Sequence, residues 1–174
     1  MIAIMSDNEN ELLPIVDADG NVIGSAVRAE CHNGSMILHP VVHLHLFNSK
    51  GELFLQHRPS WKKIQPNKWD TAMGGHIGYG EDITTALERE TFEELGLTGL
   101  KYQQILKYKF QSTIEAEFVY SYIAVSDAPV SASNETNGGK FWSIFEIESN
   151  LGKGVFTPNF ESEAERIGLL GMLR

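Results

Sequence analysis

The stretch that decides the reading runs Gly74-Gly75-His76-Ile77-Gly78-Tyr79-Gly80-Glu81-Asp82-Ile83-Thr84-Thr85-Ala86-Leu87-Glu88-Arg89-Glu90-Thr91-Phe92-Glu93-Glu94-Leu95-Gly96-Leu97. A glycine-rich loop passes into a segment of helical spacing. Asp82 is a good N-cap residue, because its carboxylate can accept from the unpaired amides of a first turn. Gly96 can take the left-handed conformation that closes a helix. The spacing predicts a helix from Asp82 to Gly96, with Glu90, Glu93 and Glu94 at i, i+3 and i+4 on one face, within about 100° of arc. Three like charges there oppose helix formation, so something must compensate them. Carboxylates on a rigid element suit Mg²⁺ or Mn²⁺, hard cations that also take phosphate oxygens. A bare glutamate cluster is more often a solvated face. The upstream glycines change that reading, because they let the backbone approach a ligand and bring anionic groups to the first helical turn.

Outward from the helix, short strands are expected on both sides. Leu13 to Val16 and Asn21 to Gly24 form a hairpin about the turn at residues 17–20. Residues 25–39 read as mostly irregular, with a turn at 31–35. Val41 to Phe47 alternates, with Val42, Leu44 and Leu46 on one face and His43 and His45 on the other, which predicts a half-buried strand. The turn at 48–51 returns it into Glu52 to Gln56. Further strands are expected at 102–110, 114–125 and 140–144, with a polar loop at 126–139 and a closing helix near 160–173. Strands flanking one strong helix, closed by a second, indicate a mixed α/β architecture. No repeat, low-complexity tract or linker divides the 174 residues, so one domain over 1–174 is expected, with 1–12 as a flexible N-terminal tail.

Composition excludes several function classes. With 42% hydrophobic and 21% charged residues the chain is not of disordered or collagen-like make-up. Its net charge of −9 argues against nucleic acid or an anionic membrane held by bulk charge. The single cysteine, Cys31, makes no internal disulfide, and no stretch reads as a signal peptide or membrane span, so a cytoplasmic protein is expected. The charge is concentrated: Glu81, Asp82, Glu88, Glu90, Glu93 and Glu94 face one base, Arg89, while Arg58, Lys62, Lys63 and Lys68 form a basic stretch just upstream.

Residues 75–97 resemble the Nudix box, G-x5-E-x7-R-E-U-x-E-E-x-G-U with U aliphatic. Gly75, Glu81, Arg89, Glu90, Glu93, Glu94, Gly96 and Leu97 stand at the required spacing. Thr91 replaces one aliphatic residue, on the packing row Leu87–Thr91–Leu95, where its hydroxyl can bond back to the carbonyl four residues earlier. The resemblance implies a Nudix fold, a mixed β-sheet between helices. It also implies a metal-dependent enzyme that hydrolyses diphosphate linkages, an acid-anhydride hydrolase. By that resemblance Glu90, Glu93 and Glu94 bind Mg²⁺ or Mn²⁺, with Gly75 contributing its carbonyl and Glu81 in support, while Arg89 orients the glutamates.

The flanks are similar to a narrower group built on that fold, the isopentenyl-diphosphate isomerases, from roughly Leu13 to Phe160. His32, His39 and His76 match their metal-binding histidines, and Glu115 and Glu117 match their E-x-E pair. This implies a second metal site, whose mixed N/O donors would accept Zn²⁺, Mn²⁺ or Mg²⁺. Arg28, Arg58 and Lys62 fall where those enzymes place diphosphate-binding cations, and Trp69 and Thr157-Pro158 match in register. His43, His45 and His57 have no such counterpart and read as ordinary surface or hydrogen-bonded residues.

Two departures bear on the reaction. The isomerases carry an essential cysteine before the glycine–histidine pair, where this chain has Gly74, and a tryptophan after the proline, where it has Asn159. Cys31 lies on the other side of the first histidine and does not replace that cysteine. Proton-shuttling groups are therefore missing while the hydrolytic glutamates are present. The expectation is an isomerase-like hydrolase of a small-molecule diphosphate, nucleoside or isoprenoid in type, with water attacking phosphorus and Glu93 or Glu117 as general base. The rival readings are isomerisation through Glu117 and Tyr108, and a module that binds a diphosphate metabolite without turnover.

Overall fold

The computed structural model describes residues 8–62, 64–131 and 136–168. Its first elements are the hairpin β1 (Leu12–Val16) and β2 (Val22–Val27), a short helix α1 (Arg28–Cys31) and the long strand β3 (Leu38–Phe47). β4 (Leu53–His57), β5 (Trp69–Thr71) and β6 (Met73–His76) lead to helix α2 (Ile83–Leu95). β7 (Gln103–Gln111), β8 (Ala116–Val125), β9 (Gly139–Trp142), α3 (Ile144–Asn150) and α4 (Pro158–Arg166) complete the described chain. Residues 25–39 are more ordered than expected, since β2 extends to Val27 and α1 follows at once. The flexible tail assigned to 1–12 falls partly outside the described residues. Within them, the carbonyls of Glu9 and Glu11 accept from the amides of Ala29 and Arg28. The closing helix starts at Pro158 on the Thr157 cap, and residues 169–173 of its expected span lie outside the described residues.

The described strands other than the hairpin form one mixed sheet in the order β5-β4-β3-β8-β7, with β6 pairing β3 and β9 pairing β4. β3 and β8 run parallel in register from Leu38–Ala116 to Phe47–Val125, and the other pairings are antiparallel. Period-two alternation sends successive residues to opposite layers. Val42, Leu44, Leu46 and Phe54 pack with Ala86, Leu87 and Leu95 of α2. Phe47, Leu53 and Leu55 pack with Ile147 of α3 and Phe160 and Ala164 of α4. This is the α/β sandwich, a mixed sheet between helices.

Helix α2 follows its capping residues: Asp82 accepts from the Thr85 amide, and Gly96 at φ 67° donates to the Phe92 carbonyl at 2.9 Å. Thr91 is buried on its packing side, but its hydroxyl makes no bond back to the Leu87 carbonyl. β3 is covered on both faces rather than half-exposed. His45 is fully buried, because α4 packs over the histidine face and sets Glu163 against it. Among the described residues no helix is long and apolar enough to cross a membrane.

Candidate active site

Arg89 is the hub of the helix α2 charges. Its Nε and Nη2 donate to the two carboxylate oxygens of Glu81 at 2.8 and 2.9 Å, and Nη2 also donates to the His76 carbonyl at 3.1 Å. Nη1 donates to Glu90 Oε1 at 2.8 Å and to Glu93 Oε2 at 3.4 Å. The Glu81 hydrogen bonds raise the guanidinium above its ordinary range. Those bonds also lower the Glu81 carboxyl, helped by the Gly78 amide at 3.0 Å. The opposite charge that three glutamates on one face require is therefore built into the same helix. Gly75 is a glycine for a steric reason: a Cβ there would stand 2.2 Å from Glu90 Cδ. Glu94 turns to the neighbouring residue and accepts from the Gly74 amide at 3.3 Å.

A second cluster forms where α1, β3, β6 and β8 meet. The rings of His32, His39 and His76 lie 5.0–5.4 Å apart, centroid to centroid. His32 Nε2 is 3.1 Å from His76 Nε2 and 3.2 Å from Glu115 Oε2. His39 Nδ1 donates to the Ile37 carbonyl at 3.0 Å, and its buried Nε2 has no hydrogen-bonding side chain. Parallel pairing sets Glu117 level with His39, and ligand atoms of His39, Glu115 and Glu117 lie within 4.8 Å of one another. Burial, then the charges of Arg28, His39 and His32, drive the His76 imidazolium well below its ordinary range, leaving the neutral, lone-pair form. Burial and the charge of Glu117 push the Glu115 carboxyl up to about 7, against Arg28. Facing imidazole nitrogens, an orphaned His39 Nε2 and crowded carboxylates fit a divalent cation, which would satisfy all three.

The other candidates divide. Arg28 pairs with Glu11 at 3.3 Å and acts on both His76 and Glu115, so it borders the cluster. Arg58 instead donates to the Ile64 carbonyl at 3.1 and 2.9 Å and to Asp70 at 3.5 Å, and Lys62 lies over the Trp61 ring. Both therefore hold their own loop. Glu90, Glu93 and Glu94 do not converge as one ligand set. Among the described residues, the acid and histidine groups that gather within 4.8 Å are His32–His39–His76 and His39–Glu115–Glu117. The reason is that Arg89 holds two of the three helix carboxylates and the Gly74 amide holds the third.

One group escaped the sequence reading. Glu163 of α4, 1% exposed, places Oε2 2.8 Å from His43 Nδ1 and 3.3 Å from His45 Nε2. Burial opposes both charges, yet the pair holds Glu163 far below the usual carboxylate range and His43 up at about 9. The available signal was a carboxylate on the apolar stripe of α4, between Phe160 and Ala164, opposite the alternating histidines of β3. Cys31 is buried with Leu13 and Ala26 beneath the hairpin.

The fold is shared with known proteins. Residues 37–159 match the NUDIX domain family. The chain is 32% identical over 145 residues to an isopentenyl-diphosphate Δ-isomerase of Serratia proteamaculans, covering 80% of this chain and 78% of that protein. It is 34% identical over 123 residues to an uncharacterized Nudix hydrolase of Pseudomonas aeruginosa, covering 71% and 72%. The crystal structure of DR0079 from Deinococcus radiodurans superposes with a TM-score of 0.76 at 25% identity, covering 90% of this chain and 99% of that one. The chain belongs to the Nudix hydrolase family, as an isopentenyl-diphosphate isomerase-like member. It is an enzyme of the diphosphate-hydrolase type.

Proposed function

We propose that the protein hydrolyses a diphosphate-linked small molecule, nucleoside or isoprenoid in type, by attack of water on phosphorus. The observation that carries this reading is the hub in which Arg89 orders Glu81, Glu90 and Glu93, with Glu90 packed against Gly75, beside a glycine rather than a cysteine at position 74. Glu90, Glu93 and Glu94, once turned from Arg89 and the Gly74 amide, would hold Mg²⁺ or Mn²⁺ with the Gly75 carbonyl, and the ion would supply charge neutralisation and an activated water. Arg89 aims Glu90 and Glu93, and Glu81 fixes Arg89. Glu93 is the looser of the Arg89 partners and 55% exposed, so it can turn to a water as general base. Glu117 is the alternative base, between the histidine cluster and His43. Arg28 would grip a phosphate at the rim, with Arg58 and Lys62 joining if their loop rearranges on binding. His32, His39, His76, Glu115 and Glu117 would hold a second Zn²⁺, Mn²⁺ or Mg²⁺ ion.

The likeness to isopentenyl-diphosphate isomerases supports a diphosphate pocket, and Gly74 and Asn159 argue against their proton transfer. The test is a panel of nucleoside, sugar and isoprenoid diphosphates with Mg²⁺ or Mn²⁺, run on wild type, Glu93→Gln and Glu94→Gln. Metal-dependent cleavage that falls about 100-fold or more in the variants is expected. Allylic product from isopentenyl diphosphate without released phosphate would overturn this reading in favour of isomerisation. Tight binding without turnover across the panel would overturn it in favour of a binding module.

A further inference from the structure

The Glu163–His43 pair belongs to neither cluster considered for metal, and the hydrolytic reading makes no use of it. Glu163 engages only one nitrogen of the ring, Nδ1 at 2.8 Å. The opposite edge, Cδ2–Nε2, faces Gly74: a Cβ on that glycine would stand 3.4 Å from Cδ2 and 3.6 Å from Nε2. The side chain is 18% exposed, and no side chain on residue 74 lies over this edge. The β3–β6 register sets His43 beside Gly74 and Val41 beside His76. His43 and the metal-type cluster therefore share one face of the sheet, two β6 residues apart, about 6.6 Å along the strand. Glu117 acts on His43 and also stands in that cluster, while Asp70 acts on His43 and holds Arg58. His43 thus feels charges both from the histidine–glutamate cluster and from the residue that holds the basic loop.

We propose that His43, anchored by Glu163, offers its Nε2–H across Gly74 as a binding site for a phosphate oxygen of the substrate, two strand residues from the histidine–glutamate cluster. Three features support this assignment. The Glu163 carboxylate accepts from Nδ1–H and is the counter-charge of an imidazolium, whose second proton is on Nε2. Gly74 leaves that N–H uncovered, where any side chain would cap it. Two strand residues is also the spacing over which one phosphate of a diphosphate can sit at the cluster while the other reaches the imidazole. Position 74, where the isomerase-type sequences carry a reactive thiol, here becomes the gap through which an anion meets a histidine.

This inference rests on the reading of the substrate as a diphosphate, and binding is tested separately from turnover. The probe is inorganic pyrophosphate with Mg²⁺, titrated by calorimetry and followed through the imidazole ¹H–¹⁵N resonances. In wild type the His43 Nε2 resonance should move on saturation. His43→Gln should weaken pyrophosphate by about tenfold, the usual worth of a charge-assisted hydrogen bond. Gly74→Ala adds a methyl at ordinary contact distance from the ring, so it should fold normally and still weaken the probe. With any substrate that is turned over, His43→Gln should raise KM more than it lowers kcat, which a purely structural pair would not do. An unmoved His43 resonance, or wild-type affinity in both variants, would overturn the assignment. Pyrophosphate binding through His43 with no hydrolysis across the substrate panel would uphold the site and overturn the hydrolytic reading, so the two failures are distinguishable.

Discussion

The two faces of the sheet carry charge hubs of opposite design. On the α2 side a cation, Arg89, is surrounded by the carboxylates of Glu81, Glu90 and Glu93. On the α4 side an anion, Glu163, is held between the imidazoles of His43 and His45. Each hub leaves a surplus facing outward. Around Arg89 the surplus is carboxylate oxygen, suited to a cation. At His43 it is an N–H edge, suited to an anion. A diphosphate bound with its metal needs both, and the strand β6 that separates the hubs is glycine at Gly74 and Gly75, so each hub reaches the backbone unobstructed. The hubs also differ in what switches them: guanidinium does not titrate in any accessible range, whereas imidazole does.

The comparison breaks most directly at Arg89. Arg89→Gln leaves three carboxylates and the His76 carbonyl without their shared donor, so turnover should fall by about 100- to 1,000-fold. Stability should fall by only about 1–2 kcal/mol, because part of the hub is wet. Arg89→Lys should recover little, since an ammonium cannot fork to both oxygens of Glu81 while reaching Glu90. Steady-state rates with chemical denaturation of each variant measure both effects. Wild-type turnover in Arg89→Gln would remove the hub from the mechanism.

The opposite hub should fail in the opposite currency. Glu163 is fully enclosed, so Glu163→Ala strands a buried imidazolium and should cost about 3–5 kcal/mol. Glu163→Gln keeps the shape and a hydrogen bond to His43 and should cost less. Urea midpoints for the two variants test this. Equal, negligible losses would mean that α4 is held by Phe156, Phe160 and Ala164 alone.

Sequence distance explains why one hub was readable and the other was not. The side-chain partners of Arg89 lie one, four and eight positions away, inside a single loop–helix unit, and helical periodicity plus motif spacing discloses them. His43 and Glu163 lie 120 positions apart and meet only because α4 crosses the face of β3. Alternation on β3 separated His43 and His45 from the leucines correctly, but it could not say that a helix would cover them. The histidine–glutamate cluster is an intermediate case. Resemblance brought its five residues together, and no local pattern would have, since β3 and β8 are neighbours through a parallel pairing. The loop of Arg58 is the converse: the stretch looked like a free clamp, and the Ile64 carbonyl and Asp70 occupy the guanidinium.

The histidine–glutamate cluster sharpens the contrast, because it joins the two hubs through His76 and Glu117. A divalent ion that binds only the folded chain adds about 2.7 kcal/mol at a hundredfold excess over its dissociation constant. That should raise the melting temperature by about 5–10 °C for a chain of this size. Zn²⁺ and Mn²⁺ titrations of wild type, compared with His39→Ala, measure it. His39 is the informative position, since its Nε2 is buried without a side-chain partner. A shift that persists in His39→Ala would move the ion to helix α2.

The smallest expected effect separates the hubs by pH. The His43 imidazolium persists to about pH 9 in the folded chain, against an ordinary value of 6.5. Burial opposes that charge; Glu163 sustains it, with Glu117 and Asp70 adding, while His45, Tyr108 and Arg166 complete the surroundings of the pair. Below pH 6.5 both folded and unfolded chains carry the proton, and the contribution of the pair is complete. Above it only the unfolded chain releases the proton, so the contribution drains away as pH rises toward 9, by about 1.4 kcal/mol per pH unit at most. Glu163 runs the other way: its lowered carboxyl contributes fully above the ordinary 4.5 and is lost as pH falls. Arg89 adds nothing to the alkaline limb. The melting-temperature gap between wild type and His43→Gln should therefore narrow by about 2–4 °C from pH 7 to pH 8. The gap between wild type and Arg89→Gln should stay level over the same range. If the first gap is flat as well, His43 is not an imidazolium in the folded protein, and the hub on the α4 side is a neutral hydrogen bond rather than the counterpart of Arg89.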